Sequence, residues 1–216
     1  MNVMVVMLIL ASDPEPSELR HIFNPTPADQ MREFECDRPD RTESPYSVPA
    51  GHAQFEVDLA TFSVRPQSRE NAASASIGYL AMNAKLGLLS NWDLQVLFSP
   101  ITQSIRGSDQ SSDRLSVGLD SVTVRSKINV WGNDNGSTAL GLLPYLTLAT
   151  NGRPELLDAG LIVPFGSDFF WGTSLGAQIA VGVVKSNSVY QIDVNASASI
   201  GRTVYGPLSA YVELFA

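Results

Sequence analysis

Charge is scarce in this chain. Lys, Arg, Asp and Glu together make 17% of its 216 residues, where a soluble globular domain carries about 25%. Long apolar runs are also missing. Hydrophobic residues reach 44%, yet the longest apolar run lies at the very start and falls far short of the roughly 20 residues a membrane-crossing helix needs. Low charge without such a run leaves two all-β solutions: a soluble sandwich, or a barrel whose apolar residues are spread out by alternation. An excess of basic charge is absent too. The net charge of −8 excludes the basic stripe that nucleic acid requires, so no nucleic-acid partner is expected.

The single cysteine, Cys36, rules out an intramolecular disulfide, and Glu33-Phe34-Glu35 before it is too acidic and bulky for a lipoprotein cleavage box. With only His21 and His52, and no GxSxG, serine hydrolase chemistry lacks its parts. Neither a P-loop, a dinucleotide fingerprint nor a metal-spaced Cys/His set occurs. Gly118-Leu119-Asp120 and the NDNG run at 133–136 resemble calcium ligand runs only superficially; turn chemistry accounts for them better. The expectation is therefore a protein that is not an enzyme and needs no cofactor and no metal.

What is present is organised in three parts. Residues 1–12 read as the apolar core of a secretory signal lacking its positive n-region, a buried first strand being the alternative. Residues 13–50 hold most of the early prolines and little periodicity. They form an irregular arm with one short helix, capped by Thr26 with Pro27 at its first position and running through ADQMREF. From residue 51 to 216 the pattern turns to strict alternation. Tyr190, Ile192, Val194, Ala196, Ala198 and Ile200 oppose Gln191, Asp193, Asn195, Ser197 and Ser199, which is a strand with one apolar and one polar face. Nine such segments are predicted, roughly 52–64, 72–87, 92–105, 115–131, 137–149, 159–165, 171–184, 189–202 and 208–216. The fold class is all-β.

Three features favour an antiparallel transmembrane β-barrel over a sandwich. Many segments reach ten residues or more, the length a tilted membrane strand needs (about 9–11) and not the globular average of five or six. Turns at 88–91, 132–136, 166–170 and 203–207 are short and fall on one side; connections at 65–71, 106–114 and 150–158 are longer and fall on the other. Finally, Trp92, Trp131, Trp171, Phe169, Phe170 and Tyr205 gather beside the short turns, as amphipathic rings do at a membrane interface.

The stretch CDRPDRTESPYSVPAGHAQFEVDL at 36–59 resembles the opening of a family of outer-membrane barrels named for the meta-pathway of phenol degradation. That family's signature is DRPD-x-TESP-Y-x-V-x-x-GH-x-Q-x-E. Further matches are NPTP-x-x-Q-M-R at 24–32, K-x-N-x-WG-x-D at 127–134 and Tyr211-Val212-Glu213-Leu214; Cys36 replaces an expected threonine or serine. The resemblance implies a pore or transporter of the bacterial outer membrane, with small hydrophobic or aromatic solutes, membrane lipid and the barrel-assembly machinery as partners. A barrel with a filled interior and no flux, and a secreted soluble sandwich, are the alternatives. Family members continue past this point, and single-chain bacterial barrels have even strand numbers. About 12 strands are therefore expected in the complete protein, with about three beyond residue 216.

With the apolar faces assigned to lipid, the lumen is lined by Glu56, Asp58, Lys85, Asp93, Arg125, Lys127, Asp193 and Glu213. These are solvated or paired wall residues, or determinants of solute selectivity. The densest polar cluster, with Asp37, Arg38, Asp40, Arg41, Thr42 and Glu43, either plugs the lumen or caps turns while its arginines pair with lumen carboxylates.

Overall fold

The computed structural model describes residues 19–37, 41–65, 74–106, 114–117, 119, 121–150, 155–186, 189–206 and 208–216; the signal-like stretch at 1–12 lies outside them. Eleven strands follow in order: β1 (Ala53–Arg65), β2 (Ser74–Leu89), β3 (Trp92–Phe98), β4 (Ile101–Arg106), β5 (Arg114–Val117), β6 (Ser121–Trp131), β7 (Thr138–Ala149), β8 (Glu155–Phe169), β9 (Thr173–Ser186), β10 (Val189–Tyr205) and β11 (Leu208–Phe215). β3 and β4 are one crossing broken at Ser99-Pro100, where proline has no N–H for the ladder, and β5 and β6 are one crossing with Leu119 outside the ladder. The result is nine antiparallel crossings in one sheet, each paired with its neighbours in sequence. A sandwich needs two packed sheets; the described strands make a single one, with β1 paired to β2 and β11 to β10 at its edges.

The arm proves that this sheet is curled. Nine crossings about 4.8 Å apart would hold β1 and β11 about 38 Å from each other if flat. Yet the Asp37 N–H donates to Glu56 on β1 at 3.1 Å and the Thr42 N–H to Glu213 on β11 at 2.8 Å. Five residue steps reach at most about 18 Å. The sheet therefore wraps round the arm, which enters from the short-turn end, reaches Asp37, and from Arg41–Glu43 descends to Ala50.

Burial is inverted relative to a soluble domain. The concave face buries Asn83, Lys85, Asp93, Gln95, Arg125 and Lys127, while the convex face leaves Leu59 79% and Ile192 78% exposed. Along β1 the outward apolar stripe passes from Phe55, Val57 and Leu59 to Phe62 and Val64, a one-residue slip in phase. The slip falls where Leu59 and Leu80 drop out of the register. Leu80 there takes a left-handed φ of 55°, a strained conformation for a side chain with a γ branch. The irregularity keeps the apolar residues outward on both sides of it.

Inner-face glycines make room for the arm. A Cβ on Gly87 would run into the carbonyl of Pro49, one on Gly141 would meet Pro45 and one on Gly166 the Pro45 ring. Gly87→Ala is therefore expected to lift the arm and to cost about 1–3 kcal/mol through overpacking. A lower urea midpoint and faster tryptic cleavage at Arg41 would show it.

Two expectations need correction. The short helix is a single 3-10 turn, Ala28–Gln30, preceded by Pro27, with no side-chain cap from Thr26. The Thr26 N–H bonds the Ala50 carbonyl instead, and Arg32 is drawn away to the short-turn end, so tertiary bonds override the capping pattern. The segment expected at 159–165 runs from Glu155 to Phe169, because β7 and β9 both pair with its Gly-Ser-Asp end and hold residues that read as a turn in extended form. The turn falls at Phe170–Gly172, with Trp171 and Gly172 left-handed. On the opposite end Ser186, the last residue of β9, pairs with Val189, the first of β10. Trp92, Trp131, Trp171, Phe169 and Tyr205 are exposed at the short-turn end.

Candidate functional site

The arm and the concave wall meet in a buried network of charge. Asp37 is its centre. One of its carboxylate oxygens accepts the Lys85 ammonium at 2.5 Å and the Lys127 ammonium at 2.9 Å; the other accepts Lys127 at 3.0 Å and the Ser44 N–H at 2.9 Å. Lys85 also pairs with Glu56 at 2.6 Å. Strand alternation explains why these groups meet. Lys85 on β2 stands opposite Gln95 on β3, which stands opposite Arg125 on β6, while Asp93 stands opposite Lys127. Two adjacent tiers of the wall thus carry polar groups inward.

A second contact lies higher on the arm, where Glu43 forms an ion pair with Arg125. The Glu43 N–H donates to Gln178 on β9, whose amide returns to the Arg41 carbonyl. Glu213 accepts the N–H groups of Arg41 and Thr42 and the Thr42 hydroxyl, which also meets Ser197 at 2.8 Å. The Arg41 guanidinium lies 5.0 Å from the centre of the Phe215 ring, within cation–π range. Lower down, Asp93 accepts the Val48 N–H at 2.8 Å and Asn129 donates to the Pro45 carbonyl at 2.9 Å. Arg32 closes the entrance, bonding the Ser47 and Ser90 carbonyls and pairing with Asp134.

Of the wall residues singled out from the sequence, Glu56, Lys85, Asp93, Arg125, Lys127 and Glu213 are gathered round the arm. Asp58 and Asp193 lie farther toward the long-connection end, where Asp193 accepts the Asn195 amide at 3.2 Å. From the arm motif, Asp37, Arg41, Thr42 and Glu43 take part, and Arg38 and Asp40 lie outside the described residues. The wall residues singled out from the sequence did not include the neutral partners Asn83, Gln95, Asn129 and Gln178, though the same alternation places them inward. Among the described residues, Asn83 Oδ1, Gln95 Oε1, Glu43 Oε2 and Arg125 Nε are buried without a partner. The tier round Glu43 is thus the less satisfied part of the network.

The two arm carboxylates are tuned in opposite directions. Burial alone would raise the pKa of Asp37, but Lys127 and Lys85 outweigh it and hold the group well below its ordinary 3.8. At Glu43 burial prevails over Arg125, with Asp37 adding repulsion, and the pKa rises above the ordinary 4.5. Linkage gives each a window. Stability from Asp37 is present above its unfolded value and is lost only as the pH falls through its depressed folded value. The Glu43 contribution is fully present below its unfolded value and is lost as the pH rises through its folded value. Between about pH 7 and 4.5, wild type is expected to gain urea resistance relative to Glu43→Gln as the pH falls; a difference that stays flat would refute the assignment.

A single curled antiparallel sheet with an inward polar face and an inserted N-terminal arm defines the class: an all-β protein of open-barrel type. Residues 36–160 match the model of the family described as "Putative MetA-pathway of phenol degradation", and the chain belongs to that family. Neither a curated protein nor a solved structure matches it.

Proposed function

We propose that this protein is an outer-membrane β-barrel that passes small solutes through its polar interior. One observation carries the reading: charged and amide side chains are buried on the concave face while Leu59, Val194 and Ile192 are exposed on the convex face. In water that arrangement wastes the hydrophobic effect; in a bilayer it is the stable one. No helix among the described residues is long and apolar enough to cross a membrane, which bears on helical spans and not on strands. The exposed aromatics at the short-turn end suit the headgroup level. The family description names phenol degradation, and we take small aromatic compounds as the solute class on that ground. No catalysis is assigned to the protein: the His52 ring is engaged with the Thr26 carbonyl and His21 with the Phe23 N–H, in separate places.

A specific observation favours a second reading. Asp37 and residues 41–50 occupy the interior and are tied to β1, β2, β3, β6, β9 and β11, so in this reading the arm is a plug and the barrel conducts nothing while it is seated. Single-channel recording of the full-length protein, refolded into planar bilayers after heat-modifiability is seen on a gel, separates the two. Discrete current steps whose selectivity moves toward cations in Arg125→Gln support passage. A folded, inserted protein without current supports the plug, and a chain that stays soluble without detergent overturns the membrane reading.

A further inference from the structure

The ion pair between Glu43 and Arg125 is made through one oxygen and one terminal nitrogen, where a carboxylate and a guanidinium can join through two parallel bonds. Glu43 Oε2 and Arg125 Nε are buried, each without a partner among the described residues. The tether explains the mismatch. The Glu43 N–H is held by Gln178 and the Thr42 N–H by Glu213, both at 2.8 Å, so the side chain reaches Arg125 from a backbone fixed elsewhere. Asp37, by contrast, uses both of its oxygens, on Lys85, Lys127 and the Ser44 N–H.

Two further groups on this part of the wall are unmet. Gln95 stands opposite Arg125 on one side and opposite Lys85 on the other, and Asn83 lies two residues along β2 from Lys85 on the same inward face. Both are fully buried at 0% exposure. Each spends its amide nitrogen on a carboxylate, Gln95 on Asp93 at 3.0 Å and Asn83 on Glu56 at 3.4 Å. Their carbonyl oxygens are left without a donor. The unmet set is therefore one N–H of a buried cation and two neutral acceptors. A carboxylate answers the first and a hydroxyl the second, and a buried polar group left unpaired is costly enough for a ligand to gain at each. Beside Glu43 an open space of about 520 Å³, bounded by Asp37, Arg41, Gln178, Asn195 and Ser197, gives room for a guest to approach and for Glu43 to turn away.

We propose that the wall around Arg125 binds a small hydroxycarboxylate anion, and that the Glu43 carboxylate is a tethered stand-in for it. Exchanging one carboxylate for another keeps the charge balanced. It frees the arm at Glu43 and leaves it anchored at Asp37. A neutral solute cannot make the exchange, because it would leave Arg125 as a buried charge without its pair. The proposal rests on the plug reading and supplies its release signal, yet the two fail separately. Binding is read without current, so absent binding leaves the plug standing, while current through a barrel with its arm seated ends the plug and leaves the binding result intact.

Sodium lactate is the probe, titrated by calorimetry into the refolded, heat-modifiable full-length protein in detergent micelles, against sodium chloride of equal ionic strength. Glu43→Gln removes the stand-in while keeping the wall. It is expected to bind lactate with a millimolar Kd, at least about tenfold more tightly than wild type, where the tethered carboxylate competes at high effective concentration. Adding Arg125→Gln to Glu43→Gln, which removes both members of the pair, should abolish binding. Neutral lactamide should not bind, and propionate, which lacks the hydroxyl, should bind at least about threefold more weakly than lactate. In wild type, lactate should speed tryptic cleavage after Arg41 saturably and beyond the effect of chloride. If Glu43→Gln does not fold, this cleavage assay decides alone. Equal lactate binding by wild type and Glu43→Gln, or cleavage that responds no more to lactate than to chloride or lactamide, overturns the site. Equal binding of propionate and lactate overturns the part given to Asn83 and Gln95.

Discussion

Asp37→Ala is expected to unseat the arm and to destabilise the protein by about 3–5 kcal/mol, the usual cost of breaking a buried ion pair by removing one partner. Two buried ammonium groups converge on this one carboxylate, and Lys127 is fully buried at 0% exposure. After the substitution Lys85 keeps Glu56, but Lys127 loses its ion pair and is left with Ser44 at 3.4 Å. Asp37→Asn should be nearly as damaging, since it keeps the volume and removes the charge. The double variant Asp37→Asn/Lys127→Met should recover much of the loss, because removing both members of a buried pair is often close to neutral. The measurement is the urea midpoint of the folded, gel-shifted form for the four members of the cycle. If Asp37→Ala unfolded within about 0.5 kcal/mol of wild type, as a surface change does, the arm would not be anchored by this cluster.

How much of this was legible beforehand depends on what kind of signal each part leaves. Strands and their faces were readable because period-two alternation is local: Glu56, Lys85 and Lys127 stand on polar faces that can be counted along the chain. The convergence on Asp37 was not readable. It depends on which tier of β2 faces which tier of β6, a register set by pairing across β3, and on an arm whose residues carry no period at all. The DRPDRTESP run was conspicuous as a polar cluster, but its partners are reached only through the curl of the sheet. Propensity misled at two places, the capped helix after Thr26 and the Gly166-Ser167-Asp168 end of β8. In both, bonds to distant backbone decide the conformation over local preference. The neutral inward residues Asn83, Gln95 and Gln178 were overlooked for a different reason, since attention to charge hides amides that occupy the same face.

Ile192→Arg tests the environment of the convex face, and here the two environments give effects of different size. Ile192 is 78% exposed on β10, midway between Tyr190 and Val194 on the same apolar stripe. In water an exposed isoleucine replaced by arginine changes stability by no more than about 0.5 kcal/mol. On the lipid face of a membrane barrel the same change costs roughly 2–4 kcal/mol at the midplane and falls toward zero near the interfaces. A scan makes the depth dependence visible. Arginine at Ile192 and Ile179 should be strongly destabilising, whereas arginine at Tyr205, beside the short turn, should be nearly neutral. The inward neighbour Asp193 provides the control for side: Asp193→Asn lies on the same strand and should leave refolding into lipid vesicles unchanged. Refolding yields and urea midpoints in vesicles, measured for the series, decide the matter. A graded loss that peaks in mid-strand on the outward positions means lipid surrounds the sheet. A flat profile would mean that Leu59, Val194 and Ile192 face something other than a bilayer, and the inverted burial would need another protein to cover it.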